Sequence, residues 1–201
     1  MRLGAMNMSN YADPGAWIAA LRKEGYRTAV FPAGLSVPDD TARAYGRAAE
    51  REDILIAEVG GWGDVLADSD KGTKAESMTR AKRALYLAEE VGARCAVNIS
   101  GSRGATWDGP HERNLTAETY EMIVASVREI IDEIKPRRTF FTLEPMPWMY
   151  PVDIETQQRL IRDVDRKAFA VHFDPVNMIR SPSSTSRTAH SSRRSSASSA
   201  A

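Results

Sequence analysis

The chain is poor in cysteine, in histidine and in long apolar runs. Cys95 is the one cysteine among 201 residues. A single thiol builds no internal disulfide framework, and such scarcity fits a reducing cytoplasm. No stretch of about 18 apolar residues occurs, so no membrane span is expected. The first residues (Met1, Arg2, Leu3, Gly4, Ala5) lack the sustained apolar run of a secretory signal, and none is expected. No charge of one sign dominates. Lys plus Arg and Asp plus Glu are each 27, which argues against a nucleic-acid partner, whose footprint is usually basic. Nucleotide-binding glycine signatures are missing too. No G-x-G-x-x-G follows the first apolar run, and no G-x-x-x-x-G-K-[ST] occurs.

What is present divides sharply. Residues 181–201 contain ten serines and three arginines, with no acid and no aliphatic side chain larger than alanine. Such a segment cannot bury enough apolar surface to offset its ordering entropy, and it reads as a disordered tail. Its abrupt onset reads as a shifted reading frame. A native, phosphorylatable tail is the alternative. The body, residues 1–180, carries 24 basic and 27 acidic residues.

The body alternates short apolar runs with amphipathic ones. Strands are expected at 2–6, 27–31, 54–58, 94–99, 138–144 and 168–174. Helices are expected from Asp13-Pro14-Gly15 to about Lys23 and from Asp39 and Asp40 to about Arg51. Three more are expected over about 74–91, 117–135 and 153–163. Gly92 closes the third helix, Thr116 caps the fourth and Pro136 stops it. Gly60, Gly61 and Gly63 read as a turn after the third strand. Strict alternation implies a parallel α/β sheet with right-handed crossovers. An open doubly wound sheet and a (β/α)8 barrel both fit. A full barrel needs about 250 residues, so length alone favours the open sheet.

Polar residues gather at the C-terminal ends of the strands: Glu58, Asn98, Glu144, His172 and Asp174. That edge carries the site in barrels and open sheets alike. Period two groups Phe140, Thr142 and Glu144 on one face, with Phe141 and Leu143 opposite. It likewise groups Ala170, His172 and Asp174 against Val171 and Phe173, whose apolar pair is expected to face helices. Two carboxylates aimed at one mouth repel, and are expected to share a proton or a divalent cation. Plainer roles stand beside these: Glu144 paired with Arg103 or Arg138, Asp174 as a turn former, Glu58 as an ion-pair partner and His172 as a packing residue. His111 sits in the loop Trp107-Asp108-Gly109-Pro110-His111, and Trp62 in the glycine-rich segment, as pocket or surface residues. Cys95, inside an apolar strand, reads as inert and buried.

Four segments resemble the sugar phosphate isomerase/epimerase family, the xylose-isomerase-like TIM barrels that include ketose 3-epimerases. They are Ala57-Glu58-Val59-Gly60-Gly61-Trp62, Cys95-Ala96-Val97-Asn98-Ile99-Ser100-Gly101, Leu143-Glu144-Pro145 and His172-Phe173-Asp174-Pro175-Val176-Asn177. The resemblance covers about residues 1–180. It implies a (β/α)8 TIM-barrel domain, incomplete here at six of eight units, whose two edge strands invite pairing with another chain or a homo-oligomer. It also implies one divalent metal ion, Mn²⁺ or Mg²⁺, held by Glu144, Asp174 and two ligands from strands seven and eight. Glu144 would double as an acid–base group on a carbon beside a carbonyl that the metal polarises. Trp62, Asn98, His111, His172 and Asn177 would meet a small sugar or sugar phosphate. Epimerases often place a histidine where Asn177 stands. With strands seven and eight missing, the expectation is a metal-dependent isomerase or epimerase with impaired catalysis. The alternative is a non-catalytic fragment or assembly partner. A zinc nuclease of the same superfamily needs many more histidines than His111, His172 and His190.

Overall fold

A computed structural model describes residues 2–6, 11–66 and 74–179. The expectations for 181–201 lie outside the described residues. Six strands alternate with five helices: β1 (Gly4–Ala5), α1 (Pro14–Lys23), β2 (Thr28–Val30), α2 (Asp39–Arg51), β3 (Leu55–Asp64), α3 (Lys74–Val91), β4 (Cys95–Ile99), α4 (Ala117–Ile134), β5 (Phe140–Leu143), α5 (Ile154–Val164) and β6 (Phe169–Val171). A 3-10 turn, Glu112–Leu115, precedes α4.

Every neighbouring strand pair is parallel, and the strand order follows the chain from β1 to β6. A doubly wound sheet reverses direction at a switch point, and this sheet has none. The open-sheet expectation from length therefore gives way to the barrel type. Curvature agrees with that. In a flat sheet, β3 and β6 would lie about 14 Å apart, three strand spacings. Yet Glu58 and the His172 ring just past β6 touch at 3.3 Å, so the sheet curls until its third and sixth strands face each other.

The core lies between the sheet's outer face and the helices. Phe141 and Leu143 are fully buried there with Leu85, Ile123, Ile130 and Leu160. The capping residues act as their chemistry predicts. Asp13, Thr116 and Asp153 side chains accept from Ala16, Thr119 and Thr156 backbone N–H groups. The cap on α2 differs. Pro38 is its N-cap, and Asp39 and Asp40 sit in the first turn, where the helix dipole favours them.

Two strand boundaries, those of β3 and β6, depart from the sequence reading in ways that bear on the site. β3 runs on through Gly60, Gly61 and Gly63, which are strand residues. Gly61 is small because a Cβ there would stand 2.9 Å from the Ala84 Cβ and 3.3 Å from the Val97 oxygen. β6 is shorter than expected, so His172 and Asp174 follow the strand. Val171 and Phe173 are exposed instead of facing helices, because β6 is the edge of the described sheet.

Candidate active site

The mouth of the curled sheet is assembled from one-residue extensions of its ladders. The Glu144 backbone N–H donates to the Asn98 carbonyl at 2.8 Å, which carries the β4–β5 pairing past the end of β5. Its half-buried side chain then stands at the C-terminal edge. Past β6 the chain makes a tight turn. Asp174 Oδ1 accepts from the N–H groups of Val176 at 2.8 Å and Asn177 at 3.3 Å. The turn swings Asn177 inward, and its Nδ2 donates to Glu144 Oε1 at 3.1 Å.

Glu144 and Asp174 carboxyls come within hydrogen-bonding reach. Burial raises the Glu144 pKa above the usual carboxylate range, Asp174 raises it further, and the charge of His172 opposes the shift. His172 is held above the ordinary histidine value, chiefly by its hydrogen bond to Glu58 and against the effect of burial. Glu58, Glu144, His172 and Asp174 therefore form one electrostatic cluster. Glu144 pairs with neither candidate arginine. Arg103 faces Glu118 and Thr119, and Arg138 faces Glu89.

The other sequence candidates divide. Asn177 joins the cluster. Asn98 is fully buried, and its Oδ1 accepts from Gly63 N at 3.0 Å and Ile99 N at 2.9 Å, pinning β3 to β4. Its Nδ2 is buried with no hydrogen-bond partner among the described residues. Trp62 stands exposed at the end of β3. His111 serves its own loop, where its Nδ1 accepts from Arg113 N at 3.2 Å and caps the 3-10 turn. Cys95 is half-buried, less shielded than its apolar strand suggested, and desolvation pushes its thiol up to about 11. Two contributors were outside the expected metal and sugar contacts. Glu58 was expected as a strand-end acid or ion-pair partner, and its partner is His172. Asn114 had no sequence signal, because the groups it binds are Ser102, Arg103, Gly109 and Trp148.

Two adjacent hard carboxylates suit Mg²⁺ or Mn²⁺. The raised Glu144 pKa comes first from burial, which favours the neutral acid; the smaller repulsion from Asp174 and Glu58 is the part a cation would relieve. Among the described residues, no group of three or more His, Cys, Asp or Glu is placed to hold a metal ion. Glu144 and Asp174 thus offer two donors.

The model of the xylose isomerase-like TIM barrel family matches residues 18–193, and the chain belongs to that family. Solved structures share the fold. D-Psicose 3-epimerase from Clostridium cellulolyticum H10 superposes with TM-score 0.67 at 18% identity, over 95% of this chain and 70% of that one. 3-Keto-D-glucoside 4-epimerase from E. coli gives 0.69 at 14%, over 96% and 76%. A xylose isomerase-like TIM barrel protein from Mycobacterium smegmatis, in complex with magnesium, gives 0.59 at 16%, over 88% and 64%. No curated protein matches the chain in sequence.

Proposed function

We propose that the chain is a sugar isomerase or epimerase that moves a proton on a carbon beside a carbonyl, with Glu144 as the acid–base group. The observation that carries this reading is the half-buried Glu144 carboxyl, held against Asp174 with its pKa raised. A general base works best when its pKa approaches the working pH, and burial moves Glu144 that way. Asn177, by donating to Oε1, leaves Oε2 as the oxygen that takes the proton. Asp174 spends Oδ1 on the turn. Its other oxygen and Glu144 would hold one divalent cation, Mn²⁺ or Mg²⁺. When bound, the cation would polarise the substrate carbonyl. Two protein donors hold such an ion weakly. The Glu58–His172 pair closes the far side of the mouth.

Residues 1–180 are the unit that carries this site in our reading, with 181–201 a separate tail. The substrate is a small sugar or sugar phosphate, met by Trp62, Asn98, His172 and Asn177, with His111 on the loop beside them. The setting is cytoplasmic, with no nucleic-acid or membrane partner. No helix among the described residues is long and apolar enough to cross a membrane. The test is ketose interconversion by the full chain with added Mn²⁺, read by chromatography of the sugars. Product that disappears with Glu144→Gln supports the reading, and no product from any ketose contradicts it. A second reading, an assembly partner, is favoured by the exposed Val171 and Phe173 beside the β6 edge. Sedimentation distinguishes it, since it requires a homo-oligomer or a captured second chain.

A further inference from the structure

The chain has four tryptophans. Trp17 is fully buried in the core, whereas Trp62, Trp107 and Trp148 are 37%, 42% and 38% exposed. These three leave the sheet in order: Trp62 at the end of β3, Trp107 in the loop after β4, Trp148 in the loop after β5. Large aromatics left half exposed at the ends of consecutive strands and in the loops beyond them mark a binding surface more than a packing accident.

Trp62 and Trp107 line a cavity of about 370 Å³ together with Gly63, Glu76, Ser77 and Arg80. The size suits a small ligand, and the lining mixes apolar walls with a few polar groups, as ligand sites do. The walls are fixed. A Cβ on Gly60 would lie 2.5 Å from Trp62 Nε1, so the indole folds back over that glycine. Arg80 Nη2 donates to the Trp62 carbonyl at 3.1 Å, and no acid pairs with Arg80 among the described residues. Its remaining N–H groups are available. Trp148 Nε1 donates to the Asp108 carbonyl at 2.7 Å, which ties the loop after Glu144 to the residue beside Trp107.

The cavity shares no residue with the carboxylate site, and β3 is the element that connects the two. Glu58, Gly60 and Trp62 alternate onto one face of β3. That face carries the Glu58 carboxylate that meets His172. Trp62 therefore stands four residues along β3 from Glu58, about 13 Å at strand spacing, roughly the reach of a second ring. The chemistry there is two indole faces for a ring's C–H surface, with a guanidinium, a hydroxyl and a carboxylate for ring hydroxyls.

We propose that the Trp62–Trp107 cavity is a subsite for a second sugar ring, so that the chain takes a glycoside or disaccharide in preference to a free monosaccharide. The inference rests on the proposed sugar chemistry at Glu144, whose substrate it narrows.

The test is calorimetric titration of the full chain with cellobiose, maltose and trehalose, against glucose. At least one disaccharide should bind roughly tenfold tighter than glucose, the size of a single aromatic stacking gain. Trp107→Ala should return that affinity to the glucose level and leave glucose binding unchanged. Trp107 is half exposed, so circular dichroism of the variant should match the parent. Arg80→Ala is the second arm, and should weaken the disaccharide alone. If no disaccharide outbinds glucose, or if neither substitution changes the preference, the subsite is refuted. Binding is read without turnover. A chain that prefers a disaccharide through Trp107 yet moves no proton keeps this proposal and loses the earlier one.

Discussion

Asn114 offers the sharpest test of how the mouth is held. It is fully buried. Its Oδ1 accepts from Arg103 N at 2.8 Å and Ser102 Oγ at 3.3 Å. Its Nδ2 donates to the carbonyls of Gly109 and Trp148, each at 3.1 Å. One amide thus fastens the loop after β4 to the loop that carries Trp148, four residues beyond Glu144. Asn114→Ala removes all four bonds at once. Each is worth about 1 kcal/mol net, and a buried group deprived of its partner costs about 1–3 kcal/mol more. The loss should be at least about 4 kcal/mol. In a chain of this size that lowers Tm by roughly 10 °C. Thermal unfolding followed by circular dichroism reads the shift, and limited proteolysis of residues 101–111 reads the loosened loop. Asn114→Asp keeps the acceptor but sets a carboxylate oxygen against two carbonyls, so it should recover less than half of the loss. A fall in Tm under about 3 °C for Asn114→Ala, with proteolysis unchanged, refutes the clasp.

Other outcomes follow from the same geometry. Gly101 has φ of 95°, and a Cβ there would stand 1.8 Å from Asp64 Oδ1 and 2.8 Å from the Asp64 Cα. Gly101→Ala should cost about 3 kcal/mol or more in urea unfolding, because backbone must move. Glu144 and His172 both bind a proton more tightly folded than unfolded. Stability should therefore fall as pH rises: the Glu144 share is lost above about 4.5 and the His172 share above about 6.5, each through its folded value. Urea midpoints from pH 4 to 8 check this, and His172→Gln should flatten the upper part. A midpoint that climbs with pH contradicts the cluster. Cys95, with its thiol pushed up to about 11, should react with a disulfide reagent at pH 8 about a hundredfold slower in the folded chain than in urea. Equal rates refute that desolvation.

Much of this molecule could be read from residues alone, for physical reasons that differ by element. α3 and α4 carry apolar side chains at helical spacing over 18 residues each, and Thr116 and Pro136 punctuate α4 by local chemistry. Local signals of that kind survive folding. β3 misled because Gly60, Gly61 and Gly63 look like a turn. The smallness of Gly60 and Gly61 serves Trp62, Ala84 and Val97, contacts that no local pattern reveals. Strand order is also absent from local pattern, since barrel and doubly wound sheets use the same βα units. The resemblance supplied the choice that length would have made wrongly. At the site, Glu144 and Asp174 were legible as strand-end carboxylates before prolines. The Glu58–His172 contact was not, because it depends on the curl of the whole sheet. The Asn114 clasp depends on where two loops meet, and a loop's partner is not written in its own residues.

The central claim is that Glu144 moves a proton on a carbon beside a carbonyl. The direct measurement is deuterium uptake by a ketose incubated with the chain in D2O and Mn²⁺, read by proton NMR at the carbons flanking the carbonyl. Exchange can be seen even where net conversion is slow. The account predicts uptake at one such carbon with the parent chain and none with Glu144→Gln. Uptake undiminished in Glu144→Gln, or none with either protein, contradicts it.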